Sequence, residues 1–564
     1  MAPETQTTEK TDNRITITLD GVEMKIEPKK GQTIMQLCDE LGIEIPRFCY
    51  HEELTIPANC RMCLVEVEKA PKLLPACHTT LMDGQVINTR NARVKRSQEA
   101  VLEFILVNHP IDCPICDQAG ECPLQDQYAQ YDARAARIGD PVLKVKKRKR
   151  VELGPRVTLD QERCILCSRC VRFMDEVAKE PQLAIFWRND HAYLETFPEE
   201  PLTSNYSLNT VQICPVGALT SSDFRFRDRV WNLQTSAGIC DGCDRGCNTW
   251  VDQKQSRVER LRARDNLAVN RYWMCDEGRT TYKFVNEARM LTPRHERGQV
   301  APAGSSLELV GRLAEKVESL KGKRELAFLI SPRVSTEDAL ATAWVAKELF
   351  GASRLYVGGR EPGEADKILL REDRNPNRLG VKLAAEAFGL ELKGFGALLE
   401  AVDGGEVTRL HAVGLDVPTD PQLVAGTFSG LNWFSCSATN LGPLVEQADI
   451  ALPAATMVET EGTFVSAFGR AQRFTRAFEP RGEAAAHWEW LLELARALGE
   501  ELDAEDPASL WAELGGRSPV LGSVEWGEVP AEGVTLDGVG VSEDDSQTGG
   551  RGVRHERGIS RWPR

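Results

Sequence analysis

The chain has 564 residues, too many for one hydrophobic core, because single cores stop growing at roughly 250–300 residues. A net charge of −15 argues against nucleic acid as the main partner. The polar start, Met1 to Asn13, leads into no apolar stretch, so neither a signal peptide nor a membrane span is expected. In the reducing cytosol that this implies, the 17 cysteines suit metals better than disulfides.

Residues 14–26 alternate apolar and polar around Asp20-Gly21, which predicts a β-hairpin. A short helix is expected over Thr33 to Leu41 and a strand over Leu64 to Val67. Between and after them lie Cys49, Cys60, Cys63 and Cys77, spaced C-x10-C-x2-C-x13-C. A long loop closed by a distal cysteine suits a [2Fe–2S] cluster, although plant-type ferredoxins space their first three ligands C-x4-C-x2-C. A structural zinc on the Cys60/Cys63 pair is the alternative. Hairpin, helix, cysteine loop and strand together resemble the β-grasp fold of those ferredoxins.

Apolar residues at helical spacing from Ser97 to His109 would present His109 at a helix end. With Cys113, Cys116 and Cys122 it makes H-x3-C-x2-C-x5-C, a spacing open to a Cys₃His zinc site or to a [4Fe–4S] cluster. Its cysteines alone would be one ligand short. Lys144 to Arg150 (KVKKRKR) is a local basic run, expected as a solvated or subunit-facing connector.

Bacterial ferredoxins use C-x2-C-x2-C-x3-C-P twice, each run lending its last cysteine to the other cluster. Here Cys164, Cys167 and Cys170 survive from the first run, and Cys214, followed by Pro215, from the second. Met174, Ser204, Ser207 and Thr210 stand at the other four positions. The pattern is that of a two-cluster ferredoxin reduced to one [4Fe–4S] site. A fourth group, Cys240, Cys243, Cys247 and Cys275, is spaced C-x2-C-x3-C-x27-C and resembles the N-terminal [4Fe–4S] site of molybdopterin oxidoreductases. Cys38 and Cys436 are left over.

Beyond residue 278 the pattern becomes α/β. Glu325 to Ile330 reads as a buried strand, Ser335-x-x-Asp338 as the capping box of a helix running to about Phe350, and Leu355 to Val357 as the next strand. Leu410 to Val413 and Trp433 to Ser435 continue a parallel sheet. Resemblance to molybdopterin oxidoreductases extends through Ala448 to Pro453, Glu459-x-x-Gly462-Thr463-Phe464 and Gly469-Arg470-x-Gln472. No cysteine lies between Cys275 and Cys436 to serve a molybdenum ion, and the half is short for a bis-pterin cofactor. The expected domains are 1–95 (β-grasp), 96–150 (His-Cys₃ segment), 151–228 (reduced ferredoxin), 229–290 (fourth cluster), 291–517 (α/β, without cofactor) and an extended or disordered tail, 518–564.

This order of modules, over roughly residues 14–500, is similar to the large iron–sulfur subunit family of respiratory complex I, the NADH:quinone oxidoreductases. The resemblance implies one [2Fe–2S] and three [4Fe–4S] clusters on the four groups, and no molybdopterin or FMN on this chain. It implies a flavin-bearing NADH-oxidising partner, a quinone-proximal iron–sulfur partner, and a cytoplasmic place peripheral to the plasma membrane. The chain has neither G-x-G-x-x-G nor a P-loop, in keeping with NADH chemistry on a partner. Two alternatives are the large subunit of a soluble NAD-linked formate dehydrogenase or hydrogenase, and a zinc-stabilised scaffold that binds acidic partners through residues 144–150.

Overall fold

Asp20 and Gly21 both adopt positive φ, 49° and 86°, the backbone of a two-residue hairpin turn whose twist matches its strands. They join β1 (Ile15–Leu19) to β2 (Val22–Ile26), antiparallel from Ile15↔Ile26 to Leu19↔Val22. The structure is a computed structural model that describes residues 13–131, 137, 144–302, 304–318 and 325–541. The chain divides into two compact units, 1–231 and 232–564.

In the first unit β3 (Leu64–Val67), β4 (Leu74–Pro75) and β5 (Val86–Asn88) complete a sheet ordered β2-β1-β5-β3-β4, with β1 and β5 parallel at its centre. Helix α1 (Ile34–Glu40) starts at a Thr33/Gln36 capping box and buries Ile34, Met35, Leu37 and Cys38. The same core takes in Ile17, Leu19, Val65 and Ile87 together with Cys63 and Cys77. This is the expected β-grasp layout. Burial pushes the Cys38 thiol up to about 12, so this cysteine acts as a small apolar residue.

Helix α2 (Ala92–Leu106) begins five residues before the predicted Ser97 and stops short of His109. Asn91 caps its start by accepting from the amides of Arg93 and Val94. Pro110 disfavours helical backbone at the residue before it, so His109 lies in the loop beyond the helix rather than at its end. Helix α3 (Pro123–Tyr131) follows Cys122 directly.

The next module has β6 (Val151–Glu152), β7 (Val157–Leu159), α4 (Arg169–Glu176), the hairpin β8 (Ala184–Phe186) and β9 (Tyr193–Glu195), α5 (Ser207–Gln212) and β10 (Leu219–Ser221). Strands β10-β7-β6 form its sheet. The basic run before it is tied down within the chain. Lys147 donates to the Ala192 carbonyl, Arg148 pairs with Glu195, Lys149 with Asp112 (2.5 Å) and Glu162 (2.8 Å), and Arg150 with Glu152 (2.7 Å).

The second unit opens with an antiparallel sheet of β11 (Gln234–Ile239), β12 (Asn248–Lys254) and β13 (Arg257–Ala263). An eight-stranded sheet follows, made of β14 (Arg294–His295), β15 (Gln299–Val300), β16 (Leu326–Ile330), β17 (Arg354–Val357), β18 (Glu391–Gly394), β19 (Arg409–Val413), β20 (Trp433–Ala438) and β21 (Ile450–Pro453). Its order is β15-β14-β21-β20-β19-β16-β17-β18, parallel from β21 to β18 and antiparallel at the β14/β15 edge. The predicted capping box is present: Ser335 and Asp338 cap the helix Thr336–Trp344, which continues as a π-helical turn to Leu349. Cores lie on both faces of the sheet, as continuous apolar strands demand.

A third sheet joins β22 (Gly462–Val465), β23 (Arg470–Phe474) and β24 (Val534–Thr535). Residues 518–541, expected as an extended or disordered tail, are therefore packed. Leu521 and Leu536 are buried, Trp526 Nε1 donates to Glu337 Oε1 (2.8 Å), and the Leu536 amide donates to the Gly469 carbonyl (2.7 Å). The apolar residues of this stretch follow no period, because they reach the main core of this unit from turns and short 3-10 segments rather than from one regular element. The rest of the expected tail, 542–564, lies outside the described residues.

Candidate metal centres

Each cysteine group converges locally. In the first, Cys49 and Cys60 lie within hydrogen-bonding reach of one another, as do Cys63 and Cys77, and charge on Cys49 and Cys60 is felt at Cys77. Four thiols in two close pairs match the demand of a dinuclear centre, two sulfurs to each iron. Within each pair the shared hydrogen bond favours one thiolate, Cys60 and Cys63, and pushes the partner thiols Cys49 and Cys77 up. Ala58 and Arg61 take positive φ (49° and 59°) to wrap the loop.

His109, Cys113, Cys116 and Cys122 line one cavity of about 550 Å³. His109 Nδ1 is buried without a hydrogen-bond partner, a costly arrangement for a polar atom unless a ligand completes it. Burial, together with Arg163, pushes the imidazole down to about 4, so it is neutral and able to donate a lone pair to a metal. Gly217 closes the cavity: a Cβ there would stand 2.1 Å from Cys116 Sγ. Beside it, Arg163 is 4% exposed and bridges Asp112 (3.2 Å) to Asp160 (3.2 Å). Burial opposes ionisation of Asp112, but Lys149 and Arg163 hold its carboxyl below the usual range.

Cys164, Cys167, Cys170 and Cys214 enclose a small cavity. Leu166 and Ser168 alternate with the cysteines at φ of 54° and 61°, which aims backbone amides at the sulfurs: the amide of Leu166 serves Cys164, and those of Val216, Ala218 and Leu219 serve Cys214. Burial pushes Cys164 up to about 12 and Cys167 to about 11. Such thiols give up protons when a metal loads them. The four positions of the erased run are filled: Met174 and Thr210 have no exposed surface, and Ser204 and Ser207 are buried. Thr210 Oγ1 donates to the Ser207 carbonyl (2.6 Å), satisfying its hydroxyl locally.

In the second unit Cys240 directly follows β11 and Cys247 directly precedes β12, with the Cys240 amide donating to the Cys247 carbonyl (2.8 Å). Cys275 Sγ accepts from the Gly278 amide and Cys240 Sγ from the Gly242 amide, both at 3.3 Å. A Cβ on Gly278 would meet Cys240 Sγ at 2.9 Å and Cys275 Sγ at 3.3 Å. Gln472 explains one of the sequence signals: its amide donates to the Gly246 carbonyl (2.7 Å) and its oxygen accepts from Asn248 (2.7 Å), so β23 braces the Cys247 loop. Another, Glu459, is buried between Arg289 (2.6 Å) and Arg481 (2.9 Å). Cys436 is buried in the sheet core.

A cavity of about 480 Å³ lies at the carboxyl ends of β16, β19 and β20, the switch point of an open α/β sheet where ligands characteristically bind. Among its lining residues Arg333 joins Asp416 (2.7 Å) to Asp241 (2.6 Å), an ion-pair bridge within the pocket. Sequence reading missed this bridge and Arg163, Gly217 and Gly278. The glycines carried a visible signal, each three residues after a candidate ligand cysteine; the ion pairs of the Arg333 bridge join residues far apart in the chain and had none.

Among the described residues, no three His, Cys, Asp or Glu side chains form a site suited to a single metal ion. The donor sets, four thiols in three groups and three thiols with an imidazole in the other, are of the kind that iron–sulfur clusters use.

Known proteins resemble the chain module by module. It matches a 2Fe-2S iron-sulfur cluster binding domain over residues 12–92 and the NADH-ubiquinone oxidoreductase-G iron-sulfur binding region over 98–137. It matches the ferredoxin-like domain of NADH-quinone oxidoreductase subunit 3 over 154–220, and molybdopterin oxidoreductase over 423–497. The G subunit of NADH-quinone oxidoreductase from Rickettsia bellii (strain RML369-C) is 38% identical over 314 residues, 56% of this chain and 45% of that one. Its counterpart from Streptomyces coelicolor (strain ATCC BAA-471 / A3(2) / M145) is 38% identical over 344 residues, 60% of this chain and 40% of that one. The NADH-ubiquinone oxidoreductase 75 kDa subunit of Reclinomonas americana is 37% identical over 349 residues, 62% and 50% of the two chains. The chain thus spans half or less of the length of these relatives. A solved NAD+-reducing [NiFe]-hydrogenase in the H2-reduced state aligns with a TM-score of 0.35 and 26% identity, covering 38% of this chain and 91% of that one.

Proposed function

We propose that this chain, a relative of the G subunit of NADH-quinone oxidoreductase through its iron–sulfur modules, is the electron-relay subunit of such an enzyme. It would hold a [2Fe–2S] cluster on Cys49, Cys60, Cys63 and Cys77, and [4Fe–4S] clusters on His109, Cys113, Cys116 and Cys122, on Cys164, Cys167, Cys170 and Cys214, and on Cys240, Cys243, Cys247 and Cys275. When bound, such clusters supply one-electron carriers.

One observation carries the reading: within the first unit the third group abuts both others. On one side α4, which bears Cys170, hydrogen-bonds to the backbone at Cys49 and Tyr50. On the other, the segment after Cys214 reaches the second group, with the Pro215 carbonyl 3.8 Å from Cys122 Sγ and Gly217 against Cys116. These contacts support a relay in the order first, third, second, while Gln127 of α3 also donates to the Arg47 carbonyl (3.1 Å) near the first group. Electrons would enter from a flavin-bearing NADH-oxidising subunit at the first group and leave beside His109 for a quinone-proximal iron–sulfur subunit.

In this reading the chain carries neither FMN nor molybdopterin. Arg333 is committed to ion pairs with Asp416 and Asp241 in the cavity at the sheet's switch point, and Cys436 is held in the core. The protein would be cytoplasmic and peripheral to the membrane through its partners; among the described residues no helix is long and apolar enough to cross a membrane. Low-temperature EPR of the assembled complex during stepwise reduction tests the assignment. One [2Fe–2S] and three [4Fe–4S] signals are expected from this chain, with iron matched by acid-labile sulfide. Purified protein that holds zinc and no iron would sink it.

A further inference from the structure

Helix α4 presents Arg169, Arg172 and Glu176 at i, i+3 and i+7, one face of a helix. All three grip the loop of the first cysteine group. Arg169 lies between Cys167 and Cys170 in the chain; its Nη1 donates to the Ile213 carbonyl (3.2 Å), next to Cys214, and its Nη2 to the Tyr50 carbonyl, next to Cys49. Arg172 forks to the carbonyls of Cys49 (2.5 Å) and Thr55, while its Nε donates to Ser168 Oγ (3.2 Å). Glu176 accepts from the Thr55 amide (2.7 Å) and hydroxyl, and Asn59 donates back to the Leu166 carbonyl (3.3 Å). The bonds to Tyr50, Cys49, Thr55 and Asn59 span more than 100 residues of sequence and lie near the candidate ligands of both groups.

Both guanidinium groups lie against the backbone of the first group's loop, beside Cys49 and Tyr50, and so bring positive charge to the junction of the two groups.

We propose that Arg172, assisted by Arg169, is a positioning residue that fixes the first and third clusters at electron-transfer separation and favours the reduced state of both through its charge. The inference rests on the relay reading and names the residue that makes its first internal step work. Arginine suits the task because its rigid planar fork is pre-organised to hold two separated carbonyls, whereas a lysine ammonium is a compact point on a flexible stem.

The test is made in the assembled complex with Arg172→Met, Arg172→Lys and Thr55→Val, reading iron content, EPR midpoint potentials and magnetic coupling between the two reduced clusters. Arg172→Met should keep both clusters, lower both midpoints and weaken their coupling. Arg172→Lys should restore the midpoints but not the coupling. Thr55→Val, which removes one hydroxyl of the grip and no charge, should weaken coupling with midpoints unchanged, and it stands in if Arg172→Met fails to assemble. Unchanged midpoints and coupling in Arg172→Met, or unchanged coupling in Thr55→Val, would overturn the proposal while leaving the relay intact. Absence of both signals from the unaltered complex would overturn the relay itself.

Discussion

At the scale of single residues, the candidate centres are defined as much by what is missing as by the thiols. His109 Nδ1 is a buried atom without a partner, and an iron ion is the partner its neutral ring would suit. Replacing it with cysteine adds one negative charge to the coordination shell, which disfavours the added electron. His109→Cys is expected to retain the cluster with a lower midpoint, read by EPR titration; an equal or higher midpoint would take histidine out of the shell. Gly217 is missing a Cβ for a related reason. Gly217→Ala would drive a methyl to 2.1 Å from Cys116 Sγ and 3.1 Å from Gln118 Cβ, far inside van der Waals contact. That variant should lose the second cluster while the other three signals persist. A full complement of iron in Gly217→Ala would show that Cys116 is not held where the ligand set requires.

At the scale of elements, α4 and α5 carry the remnant of a symmetric two-cluster ferredoxin. The erased half is filled by protein: helices α4 and α5 pack together, and Met174 and Thr210 on them have no exposed surface, which is the basis for reading the module as a single-cluster site. Native protein should therefore yield one [4Fe–4S] cluster from residues 155–226, and Met174→Ala should destabilise this module by about 2–5 kcal/mol through the cavity it leaves, measured as a lower unfolding midpoint of the loaded protein. A second cluster found in the native module, or an unaffected midpoint in Met174→Ala, would contradict the plugged-site account. The sequence made this module legible because ligand spacing is local and its deletions can be counted residue by residue. It made the α2 end less legible, since the periodicity runs on to His109 while Pro110 acts backwards on the backbone before it. Arg169 and Arg172 were invisible as a clamp, because a charged helix face looks the same whether it meets water or a loop more than 100 residues away.

For the whole molecule, the same distinction separates what could be read from what could not. Strands such as Leu326–Ile330 announce themselves by continuous apolar residues, and the change from cysteine-rich modules to α/β units is visible in composition. The packing of residues 518–541 was not, because Leu521, Trp526 and Leu536 join one core from irregular backbone and so show no period. The division into two units places the first three groups in one and the fourth in the other, and the fourth group is embedded in structural contacts. Its cysteines join β11, β12 and the turn at Cys275, and Gln472 braces them from β23. A site of this kind couples metal binding to folding, so its principal effect should be on the stability of its own unit. Cys243→Ser is expected to remove one [4Fe–4S] signal and to make residues 232–541 more susceptible to proteolysis. Electron transfer from NADH to quinone, normalised to assembled complex, should persist, because the proposed relay runs through the first, third and second groups without it. Loss of that transfer in a complex that still assembles and retains the other three signals would place the fourth centre on the route.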